Sequence, residues 1–410
     1  MLSVNDAIAE ILKTVHPRAA QSVALAKGHG LVLAEEVIAD IDSPPFDKSA
    51  MDGYAIRSAD VAEGISQFDC LEELMAGTTA TQQVSKGKTI AIMTGAPIPN
   101  GADAVVQKEQ TQFNAATNQM TLTTKNVPCR LNILQQGMAM KQGEIIFSPG
   151  RLLRPQELGA LAELGKANLL ATPRPNVALL ATGNELVEVS QKPGPAQIRN
   201  SNETMLAAQV ERAGANSLLL GIAKDYVDAL KNKVIKGLTS DILLLSGGVS
   251  AGQRDLVPSV LQDLGIQKVF HKVALKPGKP VWFGIGKKTN SNENIYVFGL
   301  PGNPVGSLVC FELFVRTAIR CLMNFSHPAP KFIVAHLTTD WQCRGHREVF
   351  HPACLKKEEG KLFVEPLAWQ GSADLQTTKN ANSMIHFPAE PTTFTKGNKV
   401  NVIEWTSEIS

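Results

Sequence analysis

Between Asp241 and Pro280 the chain gathers residue types that together suit an anionic ligand. The apolar run DILLLS breaks at Ser246-Gly247-Gly248, with Ser250 and the acidic Asp255 just beyond. Lys272, Lys276 and Lys279 then stand on a segment punctuated by Pro277, Gly278 and Pro280. Glycine turns free backbone N–H groups, a carboxylate can hold a hard cation, and lysines neutralise oxyanions. That combination fits a phosphate-bearing ligand. Lys272 and Lys276 are four apart around Val273-Ala274-Leu275, so an extended segment puts both lysines on one face.

Two further turns carry matching residues. ATGNE (181–185) ends on Glu185, and GLPGNP (299–304) holds Pro301, Gly302 and Asn303. Glu185, Asp225 and Asp255 are hard oxygen ligands of the kind that hold Mg²⁺ together with substrate phosphates. Asp255 is equally readable as an N-terminal charge for a helix starting at Leu256. Neither a dinucleotide G-x-G-x-x-G nor a phosphate loop ending in G-K-[ST] is present, and no serine sits in a G-x-S-x-G elbow. Earlier in the chain, FDKSAMDGYAIR (46–57) places Asp47 and Asp52 around Lys48 and Ser49, a pattern shared with ordinary surface loops. His346 and His351 read as solvent-facing strand residues.

The elements that must position these groups follow from periodicity. Ser3 to Val15 predicts an amphipathic helix with Ser3 and Asp6 as a capping box. LVLAEEVIAD after Gly30 reads as a strand, and residues 67–140 as short β runs broken by Gly, Asn and Pro. A helix is expected after Pro155, with TPRP (172–175) as a linker. From Asn176 to about Asn324 strands and helices alternate: strands at 176–182, 217–223, 241–246 and 294–300, helices at 201–215, 225–238, 256–266 and 304–323. That order predicts a doubly wound parallel sheet whose ligands bind beyond the C-terminal strand ends. After residue 326, FIVAHL, EVFHPACL, KLFVEPL and NKVNVIEW suggest a small β-barrel or sandwich. The expected architecture is therefore multidomain α/β plus β. Residues 1–45 with 140–170 link, 46–139 form a small mostly β domain, 171–325 the α/β domain and 326–410 a C-terminal β domain.

Composition narrows the partners. A chain of 410 residues with 44% hydrophobic and 19% charged residues has the make-up of a soluble globular protein of several domains. Its net charge of +2 gives no global field for nucleic acid or an anionic membrane. No apolar run reaches the roughly 18–20 residues that span a bilayer, and MLSVNDAIAE lacks the features of a signal peptide. Six scattered cysteines without a C-x-x-C pair point to reduced thiols in a cytoplasmic protein.

Taken in order, FDKSAMDGYA, MTGAPIPNGADAVV (93–106), TGNEL (182–186), SGGVSAGQRD, KVALKPGKPVWFG, GLPGNPV and GSADLQTTKNAN (371–382) resemble the MoeA family of molybdopterin molybdenumtransferases, which includes the C-terminal domain of gephyrin. The resemblance implies insertion of molybdenum from molybdate into adenylylated molybdopterin, with Mg²⁺ present and AMP released. It implies an elongated homodimer whose site joins the α/β domain of one subunit to the small β domain of the other. The adenylyltransferase that makes the substrate and the recipient molybdoenzymes are further partners it suggests. Carried over motif by motif, Asp52, Thr94, Glu185, Asp255, Lys272 and Lys276 would be catalytic. Ser246, Gly247, Gly248, Ser250, Lys279, Pro301, Gly302, Asn303, Arg347 and Ser372 would bind substrate, and Glu185, Asp225 and Asp255 would hold the metal. Two departures stand out. Gly137-Met138-Ala139 replaces a usual G-E-D triplet, and His351-Pro352 stands where a further basic residue is common. The alternative they suggest is a catalytically weakened paralogue that binds molybdopterin or acts as a scaffold.

Overall fold

The computed structural model describes residues 1–249, 256–343 and 345–405. It divides into two compact units, residues 36–148 with 160–166 and the remainder of the chain. In the smaller unit a six-stranded sheet runs, edge to edge, through strands 104–107, 53–56, 88–92, 67–74, 119–122 and 111–114. Phe68, Met120, Val106 and Ile56 fill one face and Ile90, Ile92, Val105 and Leu74 the other. The loop after Ile92 folds onto the FDKS segment through Gly95 N–H to Ser49 O (2.8 Å) and Ile98 N–H to Asp47 O (2.9 Å).

The larger unit is centred on a six-stranded sheet. Its strands are β1 (Asn176–Thr182), β2 (Asn216–Ala223), β3 (Ile242–Ser246), β4 (Gln267–His271), β5 (Trp282–Lys287) and β6 (Asn294–Leu300). They lie in the order β2-β1-β3-β6-β5-β4. The first four are parallel, as alternation of strand and helix requires. The last two pairings are antiparallel, an extension that the Lys-rich sequence of that region conceals. Val177, Leu179 and Leu244 pack on one face, Ala178, Leu180, Leu243 and Leu245 on the other, so these strands are apolar without alternation. Phe283 and Phe298 stack at 4.6 Å in the first of these cores.

The amino-terminal helix Val4–Thr14 has the expected capping box, Ser3 with Asp6, and buries Val4, Ala7, Ile8 and Ile11 against the α/β core. The stretch after Gly30 holds two short strands, Val32–Leu33 and Val37–Ile38, in place of one. The helix at Pro155 stops at Glu163, and Asn168–Thr172 is a strand. Strands 333–337, 348–358, 361–366, 383–387 and 399–404 close into a barrel, because 348–358 pairs with both 361–366 and 383–387.

Glu157, only 2% exposed, is tied to Arg154 Nη2 at 2.5 Å and Arg151 Nη2 at 2.9 Å. The Arg154 guanidinium above all, then Arg151, draws its carboxyl from an ordinary 4.5 to about 2. A depressed folded value means the stabilisation is complete above the unfolded pKa and lost as pH falls through the folded one. The melting-temperature gap between the native chain and Glu157→Gln should therefore be widest above about pH 5 and vanish near pH 2. A gap independent of pH would show that the ion pairs contribute nothing.

Candidate functional site

Three strand ends meet at one edge of the α/β sheet. β1 ends at Thr182, β3 at Ser246 and β6 at Leu300, and Gly247 N–H donates to Leu300 O at 3.1 Å. Gly247 and Gly248 take φ of 92° and 64°, which lets the turn run close against Thr182. Pro301-Gly302-Asn303 leads into a helix at Pro304 whose first position is proline.

Asn202, near the start of helix Ser201–Arg212, ties these ends together. Its buried Nδ2 donates to Ser246 Oγ (2.7 Å) and to Gly302 O (2.8 Å). Its Oδ1 and the Oγ1 of Thr182 are buried without a hydrogen-bond partner. Both residues line a cavity of about 840 Å³ together with Glu185, Ser246, Pro301, Gly302 and Asn303. Buried polar atoms in native proteins are nearly always satisfied, so two orphans on residues that border one cavity set this edge of the sheet apart from ordinary packing. The start of the Ser201–Arg212 helix, capped by Asn200, faces the same space and favours negative charge. Sequence reasoning passed over Asn202 as a helix-start residue.

An adjoining cavity of about 280 Å³ is lined by Glu185, Asp225, Gly247, Gly248, Pro301 and Gly302. Asp225 Oδ2 accepts from Asn184 N–H at 3.2 Å, and Asp225 N–H donates to Asn184 Oδ1 at 3.1 Å. Among the described residues neither carboxylate is neutralised by a salt bridge. No group of three or more His, Cys, Asp or Glu side chains is placed to hold a metal ion among the described residues. Ser250 and Asp255 lie outside them.

The lysines separate. The chain leaves β4 at Lys272 with φ of 70°, and folds back with Lys272 N–H donating to Val281 O and Val273 N–H to Lys279 O. The segment is therefore a tight excursion, and the expectation that Lys272 and Lys276 alternate along one extended strand is corrected. Leu275–Lys276 instead pairs in parallel with Glu348–Val349 of the barrel. That pairing sets Lys276 in a third cavity, about 520 Å³, with Arg347, His346 and His351. Arg347 Nη1 donates to Leu275 O at 3.3 Å. Lys272 and Lys279 line none of these three cavities.

His351 is 4% exposed, so the solvent-facing reading is also corrected. Its Nε2 meets Leu367 O at 2.8 Å, and Trp341 and Trp369 stand edge-on at 4.5 and 5.4 Å. Burial first, then the charge of Lys276, lowers its pKa and favours the neutral ring. Ser372 lies between Gly371, which lines the Lys276 cavity, and Ala373, which lines the cavity of Asn202. Its Oγ accepts from Asn303 Nδ2 at 2.8 Å, and its carbonyl from Val305 N–H at 3.0 Å.

In the smaller unit, Asp52 and Thr94 form a pair. Asp52 Oδ1 accepts from both the N–H and the Oγ1–H of Thr94, each at 2.7 Å. These bonds, the backbone one foremost, hold the Asp52 carboxyl below its ordinary value and leave it an exposed anion. Gly137-Met138-Ala139 brings no carboxylate of its own; Gly137 has φ of 67° and Met138 is 71% exposed.

Three family models match the chain in succession: "MoeA N-terminal region (domain I and II)" over residues 2–165, "Probable molybdopterin binding domain" over 178–321, and "MoeA C-terminal region (domain IV)" over 334–405. A molybdopterin molybdenumtransferase of Staphylococcus epidermidis is 33% identical over 410 residues, covering 98% of this chain and 95% of that protein. One from Bacillus subtilis is 32% identical over 408 residues, with 98% and 94% covered. The crystal structure of the molybdopterin biosynthesis MoeA protein of Pyrococcus horikoshii superposes with a TM-score of 0.80 at 27% identity, over 98% of this chain and 100% of that one.

Proposed function

The chain belongs to the MoeA family of molybdopterin molybdenumtransferases, and on that premise we propose that it inserts molybdenum from molybdate into adenylylated molybdopterin and releases AMP. The observation that carries this reading is the convergence of three strand ends and a helix start on one cavity, bordered by Thr182 and Asn202, each of which keeps a buried polar atom unpaired. A substrate with phosphates and ribose hydroxyls supplies both acceptors and donors for such a wall.

Ser246, Gly247, Gly248 and the Pro301-Gly302-Asn303 turn bind the phosphates, and Ser250 joins them by its motif. Glu185 and Asp225 fit Mg²⁺: two unneutralised carboxylates in one small cavity leave the remaining positions to phosphate oxygens and water. Asp255 is assigned to the same ion by its motif alone. When bound, Mg²⁺ neutralises charge on the phosphate being cleaved. Lys276 and Arg347, gathered by the barrel pairing, neutralise the molybdate oxyanion, while Lys272 and Lys279 are assigned to substrate by their motif alone. Ser372 holds the C-terminal segment against Asn303.

Asp52 and Thr94 act from a second copy of the chain in a homodimer, where the anionic Asp52 orients an attacking group. The cytoplasm, with the adenylyltransferase and the recipient molybdoenzymes, is the setting this reaction needs. Incubating the purified chain with adenylylated molybdopterin, molybdate and Mg²⁺ should release AMP and yield cofactor that activates an apo-molybdoenzyme. A folded protein that gives neither product would overturn the proposal.

A further inference from the structure

A fourth cavity, about 260 Å³, lies away from the strand ends and has a different character. It is lined by Glu312, Arg316 and Arg320 of the long helix, by Lys331 of the following segment, and by Glu404 of the last barrel strand. The helix that starts at Pro304 and ends at Leu322 contains a π turn over Phe311–Val315. Such insertions rotate the following residues and recur at functional sites. Beyond this one, Arg316 and Arg320 stand four apart on one face, which like charges disfavour in the absence of an anion.

The acidic partners do not satisfy this cluster. Glu312 is buried and saturated: one oxygen takes Arg212 and Gln209 Nε2 (2.7 Å), the other Arg316 Nη1 (3.0 Å). Arg320 is held over the ring of Phe325 at 4.8 Å, and its Nε is buried with no hydrogen-bond partner. Neither Arg320 nor Lys331 forms a salt bridge among the described residues, although Glu404 shares the cavity wall. A desolvated guanidinium N–H without an acceptor costs stability unless something fills the place. With Arg316 held by Glu312, Arg320 and Lys331 face Glu404 among the described residues, an excess of positive charge in the wall that favours an anion.

We propose that this cavity binds a phosphate group, free or carried by a small metabolite. Arg320 and Lys331, neither of them in a salt bridge among the described residues, meet the anion, Lys331 from the segment entering the barrel. Arginine's planar fork and a lysine point charge are the recurrent pairing for such groups. The space exceeds what one phosphate fills, which leaves room for a carrier. The bound anion would join the end of the helix, the 324–332 segment and the strand Lys399–Glu404.

The test is isothermal titration of the full chain with inorganic phosphate and, separately, with glycerol 3-phosphate at fixed ionic strength. A Lys276→Ala background removes oxyanion binding beside Arg347, and phosphate bound at the strand ends is a constant contribution that changes at Arg320, Lys331 and Glu404 leave untouched. Arg320→Met and Lys331→Met should each weaken phosphate binding by at least about tenfold, the loss of one charge-assisted bond. Glu404→Gln should tighten it several-fold by removing the opposing charge that no cation neutralises among the described residues. Lys331 is exposed, so its variant keeps the test decisive if Arg320→Met does not fold. Tighter binding of the ester identifies a carried phosphate, and equal binding a free one. Isotherms unchanged by Lys331→Met and Arg320→Met would overturn the site. So would a Glu404→Gln variant that binds phosphate no better and melts as early as Arg320→Met, because Glu404 would then be the anion that Arg320 uses.

Discussion

Replacing Glu185 by glutamine and Asp225 by asparagine together is expected to lower molybdenum transfer by about 10²–10³-fold, the scale on which loss of electrostatic stabilisation at a reacting centre is felt. The two carboxylates line one cavity and carry no neutralising lysine or arginine among the described residues. Both are exposed, so the amides should leave the fold intact. The side-chain amide of Asp225→Asn would still offer an oxygen to the Asn184 N–H, which the carboxylate now accepts at 3.2 Å. What changes is charge, and a hard divalent ion depends on charged oxygen. The Mg²⁺ concentration for half-maximal AMP release should rise by at least about tenfold in the double variant, with each single change costing less because the pair acts on one ion. If the Mg²⁺ dependence stays where it was while the rate falls, the carboxylates act on substrate and the metal assignment fails.

The residues that sequence reasoning placed well are those whose local pattern and tertiary role agree. VALLA and ILLLS are apolar without alternation because both faces of β1 and β3 are covered, and a buried parallel strand has no other pattern available. Ser3 and Asp6 cap a helix because short-range hydrogen bonds decide that geometry. Lys272 misled because a lysine at φ of 70° carries no turn signature, so Val273-Ala274-Leu275 looked like strand. Its separation from Lys276 depends on a pairing with Glu348–Val349, more than seventy residues away in sequence. His351 misled for a related reason. Phe350 and Met384 pack toward the α/β core while Ala353 and Ile385 fill the barrel, so this strand is covered on both sides and alternation says nothing about exposure. Asn202 was hidden by its neighbour, since Asn200 makes the cap and Asn202 reaches Ser246 across the strand ends.

A methyl group at position 248 should damage ligand binding more than it damages the fold. Gly248 has φ of 64°, and a Cβ there would stand 2.8 Å from Thr182 Oγ1 and 2.9 Å from Val257 Cγ2. The first contact displaces Thr182, one of the two cavity residues that keep a buried polar atom unpaired. The second presses the turn away from the helix Leu256–Asp263. Left-handed backbone alone costs a non-glycine residue about 1–2 kcal/mol. Gly265 separates the two effects, because its φ is 81° and a Cβ added there would meet nothing within 4 Å. Gly265→Ala should therefore lose stability by about 1–2 kcal/mol and bind adenylylated molybdopterin normally. Gly248→Ala should lose somewhat more stability and weaken binding by about tenfold or more, measured by titration at a temperature where both variants are folded. Equal affinities for the two variants would mean that the Gly247-Gly248 turn shapes the sheet edge without touching the ligand, and the phosphates would have to be placed at Asn303 and the start of the Ser201–Arg212 helix alone.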